Sequence, residues 1–211
     1  MPGSELVQLR RARVGEPLAL PDPRRHGTMS VEEAISRRRS VRDFSAEPLD
    51  LASISQLLWA AQGITSPDGL RAAPSAGACF PLEVYLVCAE GLFRYLPEGH
   101  AVVRVIGSTA DVRRSLAAAA YDQAFVADAP VSLVFTAAYQ RTAARYGERG
   151  IRYVHIDVGH AAENVHLQAE ALGLGSVPVG AFDDEVVARV LCLPPDQAPL
   201  YIIPVGRPLP H

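Results

Sequence analysis

The chain contains no lysine: all 20 of its basic residues are arginine. That absence removes chemistry. Schiff-base catalysis needs an amine that can lose its proton, and a P-loop needs its lysine on the phosphates. Any phosphate bound here must be held by guanidinium groups, hydroxyls or backbone N–H donors. Cysteine is scarce and odd in number. Cys79, Cys88 and Cys192 stand far apart and give neither a disulfide framework nor paired zinc ligands. No apolar run approaches the ~20 residues of a membrane helix, and "MPGSELVQLRRARVGEP" lacks the apolar core of a secretory leader. A reduced, cytoplasmic setting without a membrane partner is therefore expected. Positive charge is not in excess either, since 20 basic residues face 23 acidic ones for a formal net charge of −3. General attraction for nucleic acid is thereby excluded. Neither G-x-S-x-G nor G-x-G-x-x-G is present, which argues against an elbow-type hydrolase and a Rossmann dinucleotide site.

What is present suffices for one core: 211 residues, 49% of them apolar. Residues 1–28, rich in Pro, Arg and Gly without a sustained period, read as an irregular arm, and 29–211 as one domain. Ser30 and Glu33 form a capping-box pattern that opens a helix running to about Arg38. Asp50 caps a second helix over Leu51–Gln62, with Ile54, Leu57, Leu58 and Ala61 at helical spacing. A long loop, "ITSPDGLRAAPSAGACFP", follows, and loops of that length inside a domain are usually functional. The strands "EVYLVC" and "LFRYLP" make a hairpin, and "PVSLVFTAA" reads as a buried strand. A helical stretch covers roughly Ala143–Leu172, with a break near Gly147–Gly150. "EVVARVL" is a helix capped by Asp183 or Asp184, and "APLYIIPVG" is the last strand. The expected class is α+β: a mixed central sheet flanked by helices, one of them long and buried.

Three constellations carry possible chemistry. "ISRRRSVRDF" places Arg37, Arg38, Arg39 and Arg42 within six residues. A helix C-terminus favours one or two positive charges but does not account for four followed by an apolar residue. Asp157/His160 and Glu163/His166 make two acid-x-x-His pairs on one helix. Metal sites of that kind gather ligands from several helices, so buried or interfacial polar residues are the better reading and no metal is expected. Cys79, in the small-residue loop, reads as a packing residue rather than a nucleophile. Arg38–Arg42, Ser75–Pro81, Pro178–Ala181 and Arg207 are separate elements able to converge on one anionic, planar ligand.

"RRRSVRDF", "SQLLWAAQGI" with "RAAPSAGACFPLEVYLV", "DVGHAAENVHLQAEALGLGSVPVGAFDDE" and "PLYIIPVGRP" occur in this order. Together they resemble the motifs of the flavin-dependent nitroreductase superfamily, within it the SagB-type azoline-dehydrogenase-like branch. The resemblance covers about residues 30–208. It implies a nitroreductase-like fold, bound FMN, and a homodimer with FMN at the subunit interface. It places Arg38, Arg39, Ser40, Arg42 and Arg207 on the FMN phosphate and ribityl chain. It places Ser75, Ala76 and Gly77 near the isoalloxazine, and Val179, Gly180 and Ala181 at its N5 edge. Arg37 matches no fixed contact.

Two departures stand out. Ala78 occupies a loop position where many nitroreductases carry asparagine. Arg145-Tyr146 stands where peptide-modifying relatives carry Lys-Tyr. Arginine does not act readily as a base at neutral pH, which leaves Tyr146 as the possible catalytic side chain there. The resemblance implies an FMN oxidoreductase passing electrons from NAD(P)H to a small acceptor such as a nitroaromatic, quinone or enone. The alternative is a dehydrogenase of the azoline-oxidising type, acting on a heterocycle in a peptide or small metabolite. A reading of another class, an arginine-rich binding protein, is opposed by the acidic balance.

Overall fold

A hairpin of Leu82–Cys88 (β2) and Gly91–Leu96 (β3) nucleates the sheet. In this computed structural model, which describes residues 6–106 and 111–210, seven strands lie in the order β1-β4-β3-β2-β5-β7-β6. The others are Pro17–Ala19 (β1), Ala101–Arg104 (β4), Val131–Ala137 (β5), Gly175–Ser176 (β6) and Ala198–Gly206 (β7). Every pairing between these strands is antiparallel. The expected mixed sheet is corrected on this point. Parallel pairing enters only as the single bridges Val14–Arg104 and Ser40–Ser176. The register gives the reason. Cys88 ends β2 opposite Val131, the start of β5, and Ala137 ends β5 opposite Ala198, the start of β7. The excursion through the helix Val112–Ala119 returns the chain to the end of the sheet it left, so β5 runs back. The helices Tyr139–Tyr146 and Arg149–Ala171 instead carry it across to the Gly206 end, where β6 pairs antiparallel with the end of β7.

Residues alternate across the pleat to feed two cores. Leu82, Val84, Leu86 and Cys88 of β2 face one side, against Leu51–Gln62 (α3) and Arg149–Ala171 (α7). Tyr85 and Val87 face the other, against Val112–Ala119 (α4) and Asp184–Val190 (α8). The central strands are therefore buried on both faces, and the domain has three layers. Asp50 caps α3 as expected, its carboxylate accepting from the Ser53 N–H at 2.6 Å. The long helical stretch is two helices, Tyr139–Tyr146 (α6) and α7, separated where Gly147 takes a φ of +58°. Burial in the core pushes the Cys88 thiol up to about 12, so this cysteine stays protonated and inert.

The arm is not irregular throughout. It contains a helix, Leu6–Arg11 (α1), and strand β1, which adds to the sheet edge. Leu9 and Leu20 enter the core. The buried Arg104 guanidinium donates to the carbonyls of Leu9 (2.6 Å) and Ala12 (2.9 Å), which caps the end of α1.

One packing detail positions the arginine segment. Ser30 caps the helix Val31–Arg37 (α2) by accepting from the Glu33 N–H at 3.1 Å, and the chain then leaves α2 to run beside β6. The Val41 N–H donates to the Ser176 carbonyl at 3.0 Å. A Cβ on Gly175 would lie 2.6 Å from Val41 Cβ, closer than van der Waals contact permits. Gly175→Ala should therefore push the segment away, costing about 1–3 kcal/mol in urea unfolding. Wild-type stability would show that the segment is not seated on β6.

Candidate functional site

Three chain segments meet at the β6 end of the sheet. Ser40 bridges Ser176, Gly175 pairs with Gly206, and Phe44 bridges Pro208, which brings Arg38–Arg42 and Arg207 to one place. The Ser45 N–H donates to the Arg207 carbonyl at 2.9 Å and fixes that approach. The cations there are unevenly compensated. Arg37 is closed onto Glu33 at 2.6 Å within α2, a helix-end pair. Arg38 has Glu163 only at 3.9 Å, and Arg207 has Glu47 at 3.3 Å. Arg39 donates to the Ser36 and Arg38 carbonyls. Among the described residues neither Arg39 nor Arg42 has a carboxylate partner, and the Arg42 guanidinium lies 5.8 Å from the Phe125 ring centre. The segment is a concentration of positive charge with hydrogen-bonding capacity left over. Bidentate guanidinium groups and a hydroxyl are the donor set that suits a phosphate.

Behind this segment lies a residue whose role the sequence did not reveal. His166 is 3% exposed. Its Nδ1 lies 2.8 Å from Ser176 Oγ, while its Nε2 is buried without a partner. Burial, and secondarily the positive charge of Arg38, pull its pKa down to about 4. The imidazole is neutral at physiological pH and forms the uncharged floor of a cationic site.

The small-residue loop is held elsewhere. Gly77, Ala78 and Phe80 have φ of +60°, +52° and +45°, and for Ala78 and Phe80 this conformation is strained. Several contacts keep it in place. Asp157, 3% exposed, accepts from Ser75 Oγ at 2.6 Å and from the Ala76 N–H at 3.3 Å. Arg145 donates to the Gly77 carbonyl at 3.1 Å, and Arg141 to that of Phe80 at 3.1 Å. A Cβ on Gly77 would lie 2.5 Å from the Tyr146 hydroxyl, so glycine allows Arg145 and Tyr146 to close over the loop. The Ser75 hydroxyl, expected beside the flavin, is thus spent on Asp157 and on the Phe80 N–H, which donates to it at 3.0 Å. Asp157 and His166 lie on opposite sides of α7, nine residues and two and a half turns apart. Among the described residues no hydrogen bond links the loop to the arginine segment.

Val179 also takes a different role from the one expected. Its N–H and C=O both pair with Ile202, at 2.8 and 3.0 Å, and its side chain is buried in the second core. Gly180 and Ala181, both exposed, leave their N–H groups unpaired among the described residues. They remain the backbone donors of this segment. Gly180 opens onto a cavity of about 520 Å³, bounded also by Tyr139, His155, Val158 and Tyr201. Among the described residues no group of three or more His, Cys, Asp or Glu side chains is placed to hold a metal ion, and no helix is long and apolar enough to cross a membrane.

The model of the family described as the nitroreductase family matches residues 35–207. A protein of Methanocaldococcus jannaschii, described as a candidate nitroreductase, is 44% identical over 185 residues, covering 85% of this chain and 91% of that one. The microcin B17-processing protein McbC of Escherichia coli is 27% identical over 73% of this chain, which spans only 61% of that relative. Among solved structures, a nitroreductase-like protein of Ralstonia eutropha superposes with a TM-score of 0.83 at 32% identity, covering 95% and 94% of the two chains. The NADPH:FMN oxidoreductase of Vibrio harveyi, complexed with NAD+, superposes with a TM-score of 0.63 at 25% identity, covering 84% of this chain and 68% of the other.

Proposed function

The chain belongs to the nitroreductase family and is an oxidoreductase enzyme, and from that premise we propose that it holds FMN and passes electrons from NADH or NADPH to a small organic acceptor: a nitroaromatic, a quinone or an enone. The observation that carries this reading is the under-compensated arginine segment beside β6. Arg38, Arg39, Ser40 and Arg42, with Arg207, would hold the phosphate and ribityl chain. The unpaired N–H groups of Gly180 and Ala181 would meet the ring edge, and Ala76 and Gly77 would face the ring. When bound, the flavin supplies the redox chemistry, taking up two electrons and a proton and passing them on. The protein's own work is orientation and charge placement. Arg38 and Arg42 neutralise a dianion, and His166, kept uncharged, adds no further repulsion under them.

The same reading includes a homodimer. Val31 and Ile35 on α2, and Ile151 and Ile156 on α7, are 65%, 58%, 48% and 47% exposed. That is an unusual amount of aliphatic surface for adjoining helices to leave in water.

A second reading, oxidation of a heterocycle, rests on Tyr146 alone: its hydroxyl closes over Gly77 where a Lys-Tyr pair would stand in peptide-modifying relatives, while Arg145 cannot replace the lysine as a base. The two readings separate on anaerobic mixing of FMN-loaded protein with NADH and with NADPH. Rapid bleaching of the flavin band is expected with at least one of them. Bleaching by neither would favour the dehydrogenase direction, in which the organic substrate itself reduces the flavin.

A further inference from the structure

The cavity at Gly180 contains a pair of side chains that the binding of a flavin does not require. Tyr139 opens α6 and His155 lies on α7, and the helix break at Gly147 folds the two helices together so that they face each other. Tyr139 Oη lies 2.7 Å from His155 Nε2, with the rings edge-on at 85°. Tyr139 is partly buried against the core, whereas His155 is exposed. Both side chains line the cavity, and the exposed His155 also reaches water.

We infer that Tyr139 is the proton donor to the acceptor reduced in this cavity, and that His155 restores its proton from solvent. The inference rests on the oxidoreductase reading above and narrows its substrate class. It favours acceptors whose hydride adduct is strongly basic and needs a proton donor at once, nitroaromatics and enones, over quinones, whose hydroquinone anion is stable enough to take its proton from water. With nitrobenzene as acceptor, a bound reduced flavin would supply the hydride equivalent and Tyr139 Oη would give one proton to a nitro oxygen; nitrobenzene plus hydride plus proton is N,N-dihydroxyaniline, which loses water to give nitrosobenzene. The Tyr139 oxygen recovers its proton from the His155 Nε2–H, and the imidazole takes one from water.

The surroundings suit an acid rather than a base. Burial, and then the negative charge of Asp184 on the same cavity wall, raise the Tyr139 pKa above its ordinary value, so the phenol keeps its proton until an acceptor takes it. The neighbouring walls are apolar or small, with Val158, Gly159, Phe182, Pro199 and Leu200 leaving room for a planar ring. Positioned proton donors contribute about 10²–10⁴-fold to such steps.

The test uses Tyr139→Phe, which keeps the ring and removes only the hydroxyl, with His155→Gln as a second variant that keeps a hydrogen-bonding group but cannot relay a proton. Both should retain FMN and be bleached by NAD(P)H as the wild type is. Reoxidation of the bleached Phe variant by nitrobenzene should slow by about a hundredfold or more, and that of the Gln variant by a smaller factor. Reoxidation by ferricyanide, a one-electron acceptor that takes no proton, should stay within about twofold. Nitrobenzene binding to the oxidised protein, followed by equilibrium dialysis without turnover, should weaken several-fold in Tyr139→Phe through loss of one hydrogen bond. Unchanged nitrobenzene kinetics in both variants, or equal slowing with ferricyanide, would overturn the inference. A wild-type protein that takes up no flavin would instead remove the oxidoreductase reading from which the inference starts.

Discussion

Replacing Arg38 and Arg42 together with alanine should weaken FMN binding by at least about a hundredfold, while Arg37→Ala leaves it within about threefold. The asymmetry follows from where the charges already go. Arg37 is committed to Glu33 at 2.6 Å in an exposed pair, and such pairs contribute only about 0–1 kcal/mol. Arg38 has a carboxylate no nearer than 3.9 Å, and Arg42 has none among the described residues. Each can give a phosphate a charge-assisted hydrogen bond worth about 1.5–3 kcal/mol. Two such losses come to about 3–6 kcal/mol, at 1.4 kcal/mol per factor of ten. Fluorescence titration of the apo-variants with FMN measures this. Equal losses in all three variants would mean that the segment acts as a diffuse field rather than a set of contacts.

Acid should destabilise the apo-protein in a defined window. His166 protonates at about 6.5 when unfolded and at about 4 when folded. Above 6.5 both states hold it neutral, and the full stability is present. As the pH falls from 6.5 towards 4, the unfolded chain takes up a proton that the native chain refuses. Stability then falls by on the order of 3 kcal/mol, levelling off below the folded value. His166→Asn keeps a side chain able to bond Ser176 but cannot titrate. Its urea midpoint should therefore show a much flatter dependence across that window, even if its stability at neutral pH is lower. An unchanged slope would show that another group sets the acid sensitivity.

Much of this architecture is legible in the sequence where its cause is local. Helix α3 is marked by Asp50, which must accept at the first turn, and by aliphatic residues at helical spacing up to Gln62. The arginine segment is legible because charge density needs no partner to be noticed. Strand β4 is not, because Ala101–Arg104 is four residues long and buried throughout, without alternation. The arm reads as irregular because its order is imposed from outside, by Arg104 donating to carbonyls more than ninety residues away in sequence.

The site divides in the same way. Gly180 and Ala181 are suggested by resemblance alone, and the pairing of the Val179 N–H with Ile202 depends on how β7 runs past. The pairing of Ser75 with Asp157 spans 82 residues, and that of Tyr139 with His155 depends on how α6 folds back on α7. Asp157 and His166 resemble metal ligands in a linear reading. In the fold they serve two different faces of α7, one as a loop anchor and the other as a neutral floor beneath the arginines.

The most direct test of the account compares FMN with riboflavin, which carries the same ring and ribityl chain without the phosphate. Equilibrium titration of the apo-protein should give FMN at least about a hundredfold tighter binding than riboflavin, the phosphate contributing two or more charge-assisted contacts. In the Arg38→Ala, Arg42→Ala double variant that preference should largely vanish while riboflavin affinity stays near the wild-type value. Wild-type protein that binds the two flavins equally well would contradict the assignment of the arginine segment as the phosphate cradle.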